Sequence, residues 1–177
     1  MELLGICGSL RAASYNRKLM EVAVRGFAPD RFVDADLRLP LYDGDLEESE
    51  GIPAAATRLA DQIAAADAVL IACPEYNKSV PGVLKNAIDW VSRVKGNPWR
   101  GKPVAIVSAT AGRAGGERTQ FALRLSMVPF RPMLLQGPEV LIGDAPTQFD
   151  AEGRLTDERG AKTLSELMAA LRRAAGG

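Results

Sequence analysis

The chain has 177 residues, 47% of them hydrophobic, enough for one domain of residues 1–177 to bury a core without disulfides or structural metals. Its 22 Lys and Arg balance 22 Asp and Glu with no basic cluster, so the footprint of a nucleic-acid or anionic-membrane binder is missing, and small molecules or further copies of the chain are the expected partners. Histidine is absent, which removes Ser-His-Asp triads, Cys-His dyads, imidazole bases and most zinc sites; chemistry must come from other groups or a cofactor.

Leu3-Leu4-Gly5-Ile6-Cys7 is an apolar run ending at Gly8, and Leu19, Met20, Ala23, Val24 and Phe27 follow at helical spacing: strand, loop, amphipathic helix. The first residues begin with an acid and reach a Gly-Ser turn too soon for a secretory signal, and no apolar run is long enough to span a bilayer. Val33, Ala35, Leu37 and Leu39 then alternate with Asp34, Asp36 and Arg38, the period of a strand with one solvated face, expected at a sheet edge.

A loop from Pro40 to Gly51 leads to Pro53 and a helix with Ala56, Leu59, Ile63 and Ala66 on one face. Asp67-Ala68-Val69-Leu70-Ile71-Ala72-Cys73 reads as a central parallel strand covered on both faces. Pro81 opens a helix with Leu84, Ala87, Ile88 and Val91 inward, and Pro103-Val104-Ala105-Ile106-Val107 is a further buried strand before a Gly-rich loop. Phe121, Leu123, Leu125 and Met127 suggest a helix stopped by Pro129. Residues 133–142 hold the last strand, its limits blurred by Gly137-Pro138. Ala161, Leu164, Leu167, Met168 and Leu171 form a closing helix, with Thr156 as its expected N-cap.

Strands alternating with helices predict an α/β fold with a three-layer, doubly wound parallel sheet of five strands. One alternating strand beside apolar ones fits the flavodoxin-like order 2-1-3-4-5, in which ligands bind beyond the carboxyl ends of the strands where the order reverses. The informative loops therefore follow Cys7, Cys73 and Val107. Those two residues, Cys7 and Cys73, are the only cysteines, each ending an apolar run; buried free thiols in a reducing compartment are expected, and the cytoplasm is the expected location.

The first loop, Gly8-Ser9-Leu10-Arg11-Ala12-Ala13-Ser14-Tyr15-Asn16, precedes a helix N-terminus, where free N–H groups and the helix dipole favour an anion. It has neither the Lys of a Walker A loop nor Gly-x-Gly-x-x-Gly, so a phosphate monoester fits better than a nucleoside triphosphate or a Rossmann-bound dinucleotide. A plain helix cap at Ser14 is the competing explanation. The second loop, Pro74-Glu75-Tyr76-Asn77-Lys78-Ser79-Val80-Pro81-Gly82, places an aromatic and polar groups at a strand end, as a pocket for a flat heterocycle does, against a simple Pro-rich turn. Beyond it, Lys85 and Asp89 stand four apart as a surface pair or a subunit contact. The third loop, Ser108-Ala109-Thr110-Ala111-Gly112-Arg113-Ala114-Gly115-Gly116, combines hydroxyls with glycines that let backbone approach a ligand, or is merely flexible.

The motifs Gly8-Ser9-Leu10-Arg11-x-x-Ser14-x-Asn16 and Pro74-Glu75-Tyr76-Asn77-x-Ser79-x-Pro81-Gly82-x-Leu84-Lys85-Asn86-Ala87-Ile88-Asp89-Trp90 resemble those of the NADPH-dependent FMN reductase family, which includes quinone, azo-dye and chromate reductases. With Leu39-Pro40-Leu41-Tyr42-Asp43 and Gly115-Gly116, the resemblance runs to about Glu139. It implies that Ser9, Arg11, Ser14, Tyr15 and Asn16 hold an FMN phosphate, that Pro74, Glu75, Tyr76 and Asn77 border the isoalloxazine, and that Ser108, Thr110 and Gly112 form the third flavin loop. It implies NAD(P)H as hydride donor, small acceptors such as quinones, free flavin, azo compounds or chromate, no side-chain catalytic acid or base, and a homodimer or homotetramer. Arg118 and Glu139 match a tetramer-contact network of some relatives, whereas Phe121 stands where they carry Tyr. Two other readings stay open at this point. A flavodoxin-type one-electron carrier is usually strongly acidic with a Thr/Ser-Gly loop, neither present here, and a response-regulator receiver needs an acidic pair after the first strand.

Overall fold

A computed structural model describes residues 1–176; Gly177, the last residue of the expected single domain, lies outside the described residues. Strand β1 (Glu2–Cys7) pairs in parallel with β2 (Arg31–Asp34) on one side and β3 (Ala68–Ala72) on the other, and β3 pairs with β4 (Pro103–Ala109). The expected order 2-1-3-4-5 is observed, with one difference at the far edge. There two short strands, β5 (Met133–Leu134) and β6 (Val140–Ile142), lie one after the other along the same side of β4, so the sheet is counted as six strands. Met133 and Leu134 pair with Pro103 and Val104, Val140 pairs with Val107, and the extra residues between them, Gly137-Pro138 included, loop out of the ladder.

Every residue of β3 and β4 is buried, which is why these strands read as unbroken apolar runs. One face of the sheet, with Leu4, Ile6, Val69, Ile71, Val104 and Ile106, packs on α3 (Ala54–Ala65), α4 (Gly82–Arg93) and α5 (Glu117–Met127). The opposite face, with Leu3, Leu70, Ala105 and Val107, packs on α1 (Tyr15–Phe27) and α6 (Glu158–Ala174). Edge strand β2 ends its ladder at Asp34, yet the alternation runs on: Ala35 and Leu37 are buried between exposed Asp34, Asp36 and Arg38.

Three sequence expectations need correction, and the helix expected around residues 121–127 is present with a buried face its apolar residues did not define. Residues 40–51, expected as loop, contain α2 (Gly44–Glu50), capped by Asp43, whose side chain accepts from the Asp45 N–H. This helix buries none of its residues, so it shows no apolar periodicity. In α5 the buried positions are Thr119, Gln120, Leu123 and Met127, while Phe121 and Leu125 face outward, because spacing by two rotates residues off one helix face. The cap of α6 is Asp157, which accepts from the Gly160 N–H, and Thr156 precedes it. Pro53 and Pro81 stand at the cap positions of α3 and α4, one residue before the helical turn each was expected to open.

The Leu84-to-Trp90 segment clasps the loop ahead of α2. The Pro40 carbonyl accepts from Asn86 Nδ2 at 2.9 Å and from Trp90 Nε1 at 2.8 Å, and Asn86 Oδ1 accepts from the Tyr42 N–H at 2.8 Å. Tyr42 also meets the Trp90 ring edge-on, with centroids 5.0 Å apart. Trp90→Phe leaves that carbonyl one donor short and a small void where the indole was, so a loss of about 1–2 kcal/mol is expected. Urea titration checks it through a lower midpoint with an unchanged slope.

Candidate functional site

The three informative loops converge at the carboxyl ends of β1, β3 and β4. A cleft of about 140 Å³ between them is lined by Ser9, Arg11, Ser14, Tyr15 and Asn16 from the first loop, Pro74, Glu75 and Tyr76 from the second, and Ala109, Thr110 and Ala111 from the third. Nine of the twelve expected site residues are on this wall. Asn77, Ser108 and Gly112 stand beside it. Ala109 and Ala111 were missed, since an alanine contributes only backbone and carries no chemical signal in sequence.

Ser14 caps α1: its Oγ accepts from the Asn16 N–H at 3.2 Å, leaving the hydroxyl hydrogen to donate elsewhere. Asn16 is buried, and its amide closes on both backbone groups of Ala109, donating to the carbonyl at 2.7 Å and accepting from the N–H at 3.0 Å. It therefore ties the first turn of α1 to the end of β4. Ser108 is fully buried and also internal in its bonding, donating to the Gly115 carbonyl at 2.6 Å and accepting from Gln120 Nε2 at 2.9 Å.

The groups left over define what the cleft can bind. Ser9 Oγ and Tyr76 Oη, both on its wall, lie 3.3 Å apart. The backbone N–H groups of Tyr15, Glu75 and Ala111 find no acceptor among the described residues. Arg11 is exposed and makes no ion pair there. The Glu75 carboxylate is engaged on the α5 side, with Oε2 accepting from the Thr119 N–H at 3.3 Å and Oε1 3.7 Å from the Arg118 guanidinium. Unsatisfied donors, one free cation and the positive end of α1 make a site for an anionic ester joined to a group rich in acceptors.

A wider cleft of about 470 Å³ lies on the other side of the first loop, between Ser9–Ala12 and residues 34–38. It sits off the switch point, and its charges are mostly spent: Arg17 meets Asp34 at 2.6 Å and Arg38 meets Asp36 at 3.0 Å. Lys85 and Asp89 form a pair on the surface at 2.6 Å. Among the described residues there is no cluster of metal-ligating side chains and no helix long and apolar enough to cross a membrane.

Comparison with known proteins adds to this geometry. Residues 1–147 match the family model described as NADPH-dependent FMN reductase. An NAD(P)H-dependent FMN reductase of Pseudomonas aeruginosa is 44% identical over 173 residues, covering 97% of this chain and 93% of that protein. A quinone reductase of Escherichia coli is 40% identical, covering 89% of this chain and 86% of that one. Among solved structures, the flavoenzyme NAD(P)H:(acceptor) oxidoreductase FerB of Paracoccus denitrificans superposes with a TM-score of 0.87 at 35% identity, covering 99% of this chain and 97% of that one.

Both cysteines flank the site and both are free and buried. Burial raises the Cys7 thiol, and it pushes the Cys73 thiol from its ordinary value of 9.0 up to about 12, against a smaller lowering by its bond to Thr119. Between those two pH values the unfolded chain has lost a proton that the folded chain keeps, so this thiol's contribution is fully present below pH 9 and fades as pH rises toward 12. Folding stability should accordingly decline over that range, and less so in Cys73→Ala. At pH 8 Ellman's reagent is expected to titrate both thiols in guanidinium and neither in the folded protein.

Proposed function

The chain belongs to the NADPH-dependent FMN reductase family, and from that membership and the donor-lined cleft we propose that it is an oxidoreductase that holds FMN and uses NAD(P)H to reduce small acceptors such as quinones, free flavin, azo compounds or metal oxyanions. The observation that carries this reading is the convergence of unsatisfied donors from three loops on one cleft at the switch point. It fits FMN because the phosphate and the ring of that cofactor offer acceptors at its two ends and the ring itself is flat.

We assign the phosphate to the first loop. There the Tyr15 N–H, the Ser14 hydroxyl and Ser9 donate, Arg11 adds charge, and Asn16 holds the helix start in place through Ala109. The ring edge falls to Pro74, Glu75 and Tyr76, whose backbone presents the Glu75 N–H, with Asn77 next to them in the left-handed conformation that turns the loop back toward Ser79. Thr110 lines the third side, and Ser108 and Gly112 shape that loop from behind. FMN held there would supply the redox chemistry, a two-electron exchange between NAD(P)H and the acceptor. The protein's own part is to orient the cofactor and aim donors at it, which needs no side-chain acid or base and is open to a chain without histidine.

We also place the protein in the cytoplasm as a homodimer or homotetramer. The support is two buried free thiols and the outer face of α5 and the turn after it, where Phe121, Leu125 and Val128 are between 57% and 73% exposed. Light scattering is expected to give the mass of two or four chains, reduced by Leu125→Asp.

Added FMN should be quenched on titration into the purified protein, and the complex should oxidise NADPH or NADH when a quinone is supplied. No quenching at all would overturn the reading. Arg11→Ala removes a charge-assisted contact and is expected to weaken FMN by about 10- to 100-fold while riboflavin is little affected. Equal losses for the two flavins would remove Arg11 from the phosphate site.

A further inference from the structure

The exit of β3 meets the start of α5 at a residue that no sequence motif singles out. Thr119 is fully buried. Its Oγ1 donates to the Pro74 carbonyl at 3.2 Å and lies 3.1 Å from Cys73 Sγ, and its backbone N–H donates to Glu75 Oε2 at 3.3 Å. One residue thus bonds three consecutive residues of the loop after β3. The Cys73 thiol, kept protonated by burial, lies beside the same carbonyl, 3.7 Å from the Pro74 oxygen.

The packing beneath α5 explains why Glu75 reaches across. The cap position of α5 is Gly116, with φ +92°, and it offers no side chain to the first turn. A Cβ at that position would stand 2.8 Å from Cβ and Oγ of Ser108, so the usual Ser, Thr or Asp cap does not fit. The Thr119 N–H, in the first turn, therefore takes its acceptor from another segment. The Glu75 carboxylate supplies it, at the end of the helix where negative charge is favoured, with Arg118 alongside.

We propose that Thr119 is a positioning residue for the flavin ring: it fixes the Pro74–Glu75 peptide, which belongs to the cleft wall and whose N–H has no acceptor among the described residues, while the Glu75 carboxylate caps α5 from the neighbouring loop instead of contacting the ligand. This rests on the flavin reading above. It assigns Glu75 two separate jobs, a backbone donor toward the cleft and a side-chain acceptor behind it. It also makes the second and third loops one mechanical unit, since α5 begins where the third loop ends.

A position acting on the ring loop affects both flavins alike, whereas one acting on the phosphate separates them. Thr119→Val keeps the shape and removes the hydroxyl; it is expected to weaken FMN and riboflavin by the same factor, about tenfold, and to move the visible absorption bands of the bound flavin. Thr119→Ser restores both. Glu75→Ala removes the carboxylate and keeps the Thr119 hydroxyl; it is expected to weaken both flavins in the same proportion, giving a second arm if Thr119→Val fails to fold. Thr119→Val and Glu75→Ala proteins that bind both flavins as wild type does, with unmoved bands, overturn the proposal, as does a loss confined to FMN. Wild-type protein that binds neither flavin overturns the flavin reading and this proposal with it.

Discussion

The cleft depends on one buried amide. Asn16 sits in the first turn of α1 and Ala109 at the last residue of β4, and the two hydrogen bonds between them join elements 93 residues apart in the chain. Both backbone groups of Ala109 lie where water does not reach, so losing the amide would leave a buried donor and a buried acceptor unpaired, a cost of about 1–3 kcal/mol each. Because the pair is bidentate it fixes orientation as well as distance. The positive end of α1 is thereby aimed at the space in front of β4 and β3, not at solvent.

A second tie, of a different kind, holds the other two loops. The start of α5 lies so close to Ser108 that the helix surrenders its own cap, and the neighbouring loop provides one. The two ties share a logic. In each, a polar side chain that reads as a ligand contact satisfies protein backbone instead, and the groups presented to the cleft are hydroxyls and peptide N–H groups held from behind. Such a site is stiff, with Arg11 as the charged side chain left toward the ligand, which suits a cofactor whose own reactivity has to be steered and not replaced.

Much of this was legible in the chain. The apolar runs at Leu3–Cys7, 67–73 and 103–107 place three strands in the middle of the sheet, and the alternation at 33–39 places one at its edge; from these the strand order and the three loops follow. The N-cap at Ser14 was readable because it is local. The partners of Asn16 were not, because they are backbone groups of a distant segment, nor were those of Ser108, the Gly115 carbonyl and the Gln120 amide, because a residue type alone does not say which way its amide or hydroxyl turns. Thr119 carried no signal for the same reason. Helix α2 was hidden by a polar surface on all sides, being held through Glu47, which meets Tyr42 and Arg93. The helix at α5 was legible but its buried face was not, because Phe121, Leu123, Leu125 and Met127 are spaced for a strand.

The interrupted far edge of the sheet has a bearing on how this chain keeps company. An open parallel sheet exposes two rows of unpaired peptide groups, and a long flat edge is a template on which other chains add strands. Here one edge is the four-residue β2, with Arg31 and Asp34 exposed, and the other is cut into pieces of two and three residues by the excursion through Gln136 and Pro138. Neither offers a run long enough to nucleate runaway strand pairing. Any association would fall to helix surfaces, where side-chain complementarity, and not the generic peptide backbone, decides the fit.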